Sequence, residues 1–304
     1  MEGLTMPETY AVFGDSISTF KGIIPEKNRW YYDSDDTNET GISSPEETWW
    51  MQAINALDGT FLSNASFSGS MVQGCGFPAA CDPERAQQLV AEDGSMPDNV
   101  LVFIGINDYG WGSPEAQAGG GSEAAPTCAA ELDLAEVDPA GPADDEAAAR
   151  FGEAYKQMLE NIRAAAPEAD IWCITLLPGR VADNSSSTFC YRLRGVDFAE
   201  YNLAIQDAAE EVGAKVADVD ALGFDYDATD GTHPTKDGMT QLASLVCAAI
   251  LREKGDEDAF AAIMEGYPQR LRAARFCDLP TCIDCEFSTI EPDEWSCVCA
   301  KQLP

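Results

Sequence analysis

The sequence predicts a doubly wound α/β fold, in which a parallel sheet is covered by helices on both faces. Short apolar segments alternate with amphipathic segments of helical period along most of the chain, as they do in such folds. The strongest strand signal, residues 99–104, is apolar after its first residue, as expected for a parallel strand buried on both sides. With 304 residues, of which 45% are hydrophobic, the chain can bury the large core that this fold requires.

The strands are predicted from short apolar runs bounded by turn residues. The first run, residues 10–13, ends at a glycine, and the second, residues 60–64, gives the weakest signal. Strands are expected at residues 10–13, 60–64, 99–104, 169–177 and 215–219.

The helices are predicted from apolar side chains that recur every three or four residues. Trp50, Ile54 and Leu57 share one face of the first helix, and Pro83 is tolerated in the first turn of the second. Helices are expected at residues 47–57, 83–92, 146–166, 197–212, 237–253 and 258–275.

The pattern divides the chain into a main domain, residues 1–255, and a C-terminal extension, residues 256–304. Residues 113–145 interrupt the alternation, because they are rich in Ala, Gly, Pro and acidic residues and contain no Lys or Arg. This composition predicts an acidic surface insertion. The extension offers one helix and then a cysteine-rich tail, either packed on the main domain or appended to it.

The charge of the chain restricts its partners. The formal net charge is −35, which repels nucleic acid, anionic membrane surfaces and polyanionic substrates. The apolar run at residues 242–251 is too short to span a bilayer, and residues 1–8 lack the basic and apolar regions of a signal peptide. We therefore expect a cytoplasmic protein that acts on a neutral or cationic small molecule, with neither a nucleic-acid nor a membrane partner.

The chain contains one histidine, His233, in the run Asp230-Gly231-Thr232-His233-Pro234. A hydrolase with a serine nucleophile needs a base near neutral pH, so His233 is the one histidine that can serve. A carboxylate three residues earlier on a turn can bind Nδ1–H and leave Nε2 to accept a proton, which makes Asp230 its partner. The alternative is a loop histidine without a chemical role.

Three further candidates follow predicted strands. Ser16 lies in Gly14-Asp15-Ser16 after the first strand, Gly69 follows the second, and Asn107 follows the third. Taken singly, they are ordinary turn, loop and capping residues. However, the carboxyl ends of the strands are where a doubly wound sheet collects its ligand site. Their common placement therefore favours one active site.

These four segments, in this order, resemble the blocks of the SGNH hydrolase superfamily, also called GDSL esterases and lipases. The resemblance spans about residues 9–250, although the first block reads Gly-Asp-Ser-Ile-Ser and lacks the usual leucine. It implies a flavodoxin-like α/β/α sandwich with a five-stranded parallel sheet. The α/β-hydrolase elbow Gly-x-Ser-x-Gly does not occur in the chain, which argues against that rival fold.

The resemblance also implies roles for individual residues. Ser16 would attack an ester carbonyl, His233 would act as base and then as acid, and Asp230 would orient His233. The N–H groups of Ser16 and Gly69, together with the side chain of Asn107, would form the oxyanion hole. No cofactor is implied for catalysis.

Aromatic residues cluster beside the four blocks, where flat rings suit sugar faces or acyl groups. The cluster consists of Trp30, Tyr31, Tyr32, Trp49, Trp50, Tyr109 and Trp111. Core packing is the alternative role, and we expect it at least for Trp50. Because Tyr109 and Trp111 directly follow the third block, they are the candidate pocket walls, with Asp15 as a further candidate substrate contact.

Three functions are compatible with these residues. The first is a serine esterase that removes short acyl groups, above all acetyl, from a carbohydrate or another neutral small molecule. The second is a lysophospholipase or thioesterase that acts on lipid acyl chains. The third is a non-catalytic carbohydrate-binding protein on the same fold, against which the intact Ser16, Asp230 and His233 argue.

The chain has 11 cysteines, and the odd number argues against a full disulfide framework. Cys173 and Cys247 lie in apolar segments and are expected to be buried thiols. The tail spacing suggests a structural zinc site, with disulfides such as Cys75–Cys81 and free thiols as the alternatives. The candidate zinc ligands are Cys282, Cys285, Cys297 and Cys299.

Overall fold

The computed structural model describes residues 7–111, 146–177, 179–181, 192–193 and 196–266. The strands are β1 Thr9–Gly14, β2 Thr60–Asn64, β3 Asn99–Phe103, β4 Asp170–Ile174, β5 Gly179–Val181, β6 Arg192–Leu193, β7 Val196–Asp197, β8 Lys215–Ala217 and β9 Tyr226–Ala228. The helices are α1 Trp49–Ala56, α2 Pro83–Gln87, α3 Ile106–Trp111, α4 Ala147–Ala165, α5 Phe198–Val212, α6 Lys236–Glu253 and α7 Glu257–Gly266. Short 3-10 helices lie at Ser16–Ser18, Pro45–Glu47 and Asp220–Leu222.

The central sheet has five parallel strands in the order β2-β1-β3-β4-β8. This is the flavodoxin-like order, so the predicted fold is confirmed. The order reverses between β1 and β3, which pair from Tyr10 with Asn99 to Gly14 with Phe103. The carboxyl ends of these two strands therefore lie side by side, at the point where such sheets bind their ligands.

Helices cover both faces of this sheet. Connections between parallel strands of one sheet are right-handed. The connection from β1 to β2 leads toward one edge of the sheet, and the connection from β3 to β4 leads toward the other edge. Consequently α1 and α4, which lie in those crossovers, are on opposite faces. Helix α6 packs beside α1, and α5 packs beside α4.

The core agrees with the sequence patterns that predicted it. All five residues of β3 are buried, as expected for a strand covered on both sides. The apolar face of α4, which includes Phe151, Tyr155 and Ile162, is fully buried. Trp50 is also in the core, as expected.

Two predicted elements are shorter in the structure. The helix predicted at residues 83–92 ends at Gln87, because the next N–H groups form turns to the third preceding carbonyl instead. The strand predicted at residues 169–177 is regular only over Asp170–Ile174. Beyond it, Asn202 of α5 binds the backbone of Leu176, accepting from N–H at 2.7 Å and donating to C=O at 3.1 Å. The side-chain amide of Asn202 thus forms the hydrogen bonds that a neighbouring strand would otherwise form with Leu176.

The cysteines that the structure describes, Cys75, Cys81, Cys173 and Cys247, are free thiols. Cys173 and Cys247 are buried, as the sequence predicted. The insertion at 113–145 and the four candidate zinc ligands in the tail lie outside the described residues. Within the described part of the chain, no helix is both long enough and apolar enough to cross a membrane.

Candidate active site

Ser16 lies at the carboxyl end of β1, in the first position of a 3-10 turn, and is 5% exposed. Asp15 caps this turn by accepting the N–H of Ile17 at 3.0 Å. The turn packs tightly against β3, because a Cβ atom at Gly14 would lie 2.9 Å from the carbonyl oxygen of Phe103. The glycine before Asp15-Ser16 thus allows the close approach that places the serine at the edge of the sheet.

His233 lies in the loop between β9 and α6, and Asp230 shapes that loop. One carboxylate oxygen of Asp230 accepts the backbone N–H groups of Thr232 at 3.0 Å and His233 at 2.8 Å. The other lies 2.7 Å from Nδ1 of the His233 ring. The loop is held further by the hydroxyl of Tyr226, which donates to the carbonyl of Thr232 at 2.6 Å. The same carboxylate therefore folds the loop and orients the imidazole.

The structure brings Ser16, His233 and Asp230 together. Nε2 of His233 lies 2.8 Å from Oγ of Ser16, on the opposite side of the ring from Asp230. With a proton on Nδ1 shared with Asp230, Nε2 is free to accept the serine hydroxyl proton. Burial raises the pKa of Asp230, but the hydrogen bonds and charge of His233 outweigh burial and hold it below its ordinary value. This geometry allows the Ser16 hydroxyl to donate its proton to Nε2 of His233.

Gly69 and Asn107 lie on segments that are bonded to each other. Gly69 is in the loop after β2 with a φ of +80°, a backbone conformation that favours glycine. Asn107, in the first turn of α3, donates its side-chain amide to the carbonyl of Ser70 at 3.0 Å. The next residue, Asp108, accepts the N–H of Val72 at 2.8 Å. Helix α3 therefore fixes the loop that carries Gly69.

Arg85 also fixes these loops, and the sequence did not single it out. Its guanidinium is fully buried and donates to the carbonyls of Gly14 at 3.0 Å, Ala65 at 2.8 Å and Pro78 at 2.6 Å. It thus joins the end of β1, next to Ser16, to the segment after β2. An arginine two residues into a short helix carries no sequence signal for such a position.

Two buried carboxyl groups lie near the candidate catalytic residues. Burial raises the pKa of Asp15 to about 7, opposed by the Ile17 N–H and by the charges of His233 and Arg85. Burial also raises the pKa of Asp108 to about 6, although the hydrogen bonds that it accepts from the backbone N–H groups of Val72 and Gln73 lower this pKa. Asp15 therefore holds a proton in the folded protein at pH values where it is ionised in the unfolded chain.

This difference predicts how Asp15→Asn affects stability. The favourable contribution of neutral Asp15 is complete below pH 4 and is lost as pH rises through about 7, whereas an amide does not ionise. The stability of Asp15→Asn relative to the native protein should therefore increase between pH 4.5 and pH 8, by about 3 kcal/mol. Urea unfolding at both pH values measures this. Asp207→Asn, at an exposed position on α5, is the control; equal behaviour of the two variants would contradict the prediction.

Two of the predicted substrate contacts, Tyr109 and Asp15, are buried. Tyr109 is 2% exposed and packs edge-on against Phe198 and Tyr201, at 5.0 and 5.4 Å between ring centroids, so it does not line a pocket. Residues two positions apart on a helix point about 200° apart, so when Asn107 faces the Ser70 carbonyl, Tyr109 faces the core. Asp15 is 1% exposed beneath the turn that it caps.

Trp111 ends α3, and its side chain lies outside the described residues. Other members of the aromatic cluster are nearer to the candidate triad. The ring of Tyr31 stacks on that of His233 at 3.7 Å between centroids. Trp30, the next residue, is 37% exposed, and Nζ of Lys21 lies 4.5 Å from its ring centroid. Among the residues that the structure describes, no group of His, Cys, Asp and Glu is arranged to hold a metal ion.

Comparisons with known proteins agree with this architecture. The model of the GDSL-like lipase/acylhydrolase family matches residues 8–250. No curated protein matches the sequence. A GDSL-like lipase from Bacteroides uniformis is similar in structure with a TM-score of 0.51 and 22% identity, over 82% of this chain and 96% of that one.

Two further solved structures share the fold. A GDSL-like lipase from Bacteroides ovatus has a TM-score of 0.50 and 20% identity, over 83% of this chain and all of that one. A carbohydrate acetylesterase family member from Sinorhizobium meliloti has a TM-score of 0.50 and 15% identity, over 82% of this chain and 99% of that one. The family match over most of the chain, on the fold described above, leads to one conclusion: the protein belongs to the GDSL-like lipase/acylhydrolase family.

Proposed function

We propose that the protein is a serine esterase that removes short acyl groups, above all acetyl, from a carbohydrate or another neutral small molecule. The observation that carries this proposal is the hydrogen-bonded series from Ser16 through His233 to Asp230, with contacts of 2.8 and 2.7 Å. Such a series has the geometry required to activate a serine for attack on a carbonyl.

In the proposed reaction, Oγ of Ser16 attacks the ester carbonyl while Nε2 of His233 takes its proton. Asp230 stabilises the imidazolium that forms. When the tetrahedral intermediate collapses, the bond to the alkoxy oxygen breaks, and His233 gives its proton to the leaving alcohol. Water then attacks the acyl-serine with His233 again as base, which releases the carboxylic acid and restores Ser16.

The oxyanion of each tetrahedral intermediate would be bound by the N–H groups of Ser16 and Gly69 and by the amide of Asn107. The Asn107 amide has two hydrogens, of which one is directed at the carbonyl of Ser70. That contact orients the amide and leaves the second hydrogen for the oxyanion. Donors held in advance in this way cost little reorganisation during the reaction.

The substrate class is proposed from charge and from the aromatic surface beside His233. A net charge of −35 disfavours phosphorylated or other anionic substrates. Trp30, which is partly exposed, presents a flat ring that suits a sugar face or a small acyl group. The Sinorhizobium neighbour belongs to a carbohydrate acetylesterase family, which motivates acetylated sugars as the first natural substrates to assay.

A chain-length series of p-nitrophenyl esters tests this specificity. We expect kcat/KM for the acetate to exceed that for esters of eight or more carbons by at least about tenfold, because a small acyl site excludes extra methylenes. A preference for long chains would favour the lipid acyl hydrolase instead. Binding of sugars without hydrolysis of any ester would favour the non-catalytic protein. Ser16→Ala under the same conditions corrects for hydrolysis that does not depend on the site.

A further inference from the structure

Tyr31 covers one face of the His233 imidazole. The two rings are nearly parallel, with an interplanar angle of 6° and 3.7 Å between centroids. Behind Tyr31, the buried ring of Tyr32 packs edge-on at 5.0 Å. The hydroxyl of Tyr32 donates to the carbonyl of Pro234, next to His233, at 3.3 Å. The stacked ring is therefore held against the histidine loop.

The backbone of Tyr31 is also bonded to the segment that carries the nucleophile. Its N–H donates to the hydroxyl oxygen of Thr19 at 2.9 Å, and that hydroxyl donates to the carbonyl of Ser16 at 2.9 Å. Thr19 is fully buried, so this bridge is protected from water. Together with the Ser16–His233 hydrogen bond, these contacts form a closed circuit that runs from Ser16 through Thr19, Tyr31 and His233 back to Ser16.

The stack supplies a restraint that the hydrogen bonds do not. The bonds to Asp230 and Ser16 lie on opposite sides of the imidazole and fix a line through the ring, but they resist rotation about that line only weakly. A parallel ring at contact distance prevents this tilt. Directly superposed neutral rings are not the preferred aromatic pairing, whereas a cation over the electron-rich face of tyrosine is favourable. The geometry thus suits the imidazolium that forms during catalysis.

We propose that Tyr31 is a positioning residue that holds the imidazole plane of His233 and stabilises its protonated form in the transition state. This inference rests on the proposed esterase function. The Tyr31 hydroxyl has a hydrogen bond with the side chain of Thr229 in the His233 loop, but both proposed effects arise from the aromatic ring. Tyr31→Phe should therefore retain most of kcat, whereas Tyr31→Leu, which keeps bulk but has no aromatic face, should lower it.

The test combines kinetics with NMR of the native protein and the two variants, all made without a histidine tag. Because the chain has one histidine, protein labelled in histidine gives a single imidazole spin system. The imidazole C–H signals should lie upfield in the native protein and Tyr31→Phe, and move downfield in Tyr31→Leu. We expect Tyr31→Leu to lower kcat about five- to tenfold with little change in KM. Tyr31→Met, with a flexible apolar side chain, replaces Tyr31→Leu if the latter does not fold.

Three results would overturn the proposal: imidazole signals in the same place with and without the aromatic ring, an unchanged kcat in Tyr31→Leu, or a rise in KM alone. The last result would identify Tyr31 as a substrate contact. An equal loss in Tyr31→Phe would assign the effect to the hydroxyl and would also contradict the proposal. The NMR signals do not depend on turnover. If the native protein had no esterase activity but its imidazole C–H signals lay upfield, the proposed function would be refuted, whereas the stacking of Tyr31 on His233 would be established.

Discussion

Ser16→Ala should lower kcat/KM for an acetyl ester by roughly 10⁴- to 10⁶-fold, because it removes the hydroxyl oxygen that lies 2.8 Å from Nε2 of His233. His233→Ala should be nearly as damaging, since the chain contains no second histidine to replace it. The double variant should lose little more than either single one, because the nucleophile and base act as a unit. Losses that multiplied would mean that the two residues act in separate steps.

Steady-state hydrolysis of a chromogenic acetate measures these losses, with circular dichroism to show that each variant is folded. Ser244→Ala, on the helix that follows the His233 loop, is a matched control, since its hydroxyl binds a backbone carbonyl of its own helix at 2.9 Å. It should keep native activity. Residual activity of Ser16→Ala within about tenfold of native would place the chemistry elsewhere.

Asn107→Ala should lower kcat by about 10²- to 10³-fold with KM little changed, as expected when one donor to a developing oxyanion is removed. Asn107→Asp should be at least as damaging, because an ionised carboxylate accepts hydrogen bonds and repels an oxyanion. Both variants are measured in the same assay, with urea unfolding alongside.

The contact between Asn107 and the carbonyl of Ser70 provides the alternative explanation for such a loss. If Asn107 only secured the Gly69 loop, its removal would lower the stability of the protein and raise KM, while kcat would change little. That outcome would contradict the role of Asn107 in the oxyanion hole. A loss confined to kcat would support it.

The candidate triad and the fold were predictable because their signals are local. Ser16 and Asn107 each lie directly beyond an apolar strand, and Asp230 and His233 lie three residues apart on one turn. The alternation of strands and helices then specifies the sheet edge where these segments meet. The length and order of the segments, rather than any single residue type, carried the prediction.

Tyr109 shows where local reasoning fails. Its closeness in sequence to Asn107 suggested a shared surface, but the chain is helical from Ile106 to Trp111 and turns Tyr109 into the core. This short helix was not predicted, because Gly110 has a low helix propensity and the helix is too short to show a helical period.

Arg85 was missed for a different reason, and so was the contact of Tyr31 with His233, although Tyr31 was named in the aromatic cluster. Their roles depend on contacts with residues far away in the chain: Arg85 binds the carbonyl of Gly14, and Tyr31 stacks on His233. Arg85 looks like a solvent-facing residue of a short helix, and Tyr31 lies in a loop without periodicity. Only the tertiary structure brings Arg85 to the end of β1 and Tyr31 to the ring of His233.

The central claim, that Ser16 is a nucleophile activated by His233, is tested most directly by a serine-directed fluorophosphonate with peptide mass spectrometry. We predict one equivalent of label on Ser16, loss of esterase activity in proportion to labelling, and a much slower reaction in His233→Ala. Ser16 left unlabelled in active protein, or labelled equally fast with and without His233, would contradict the claim.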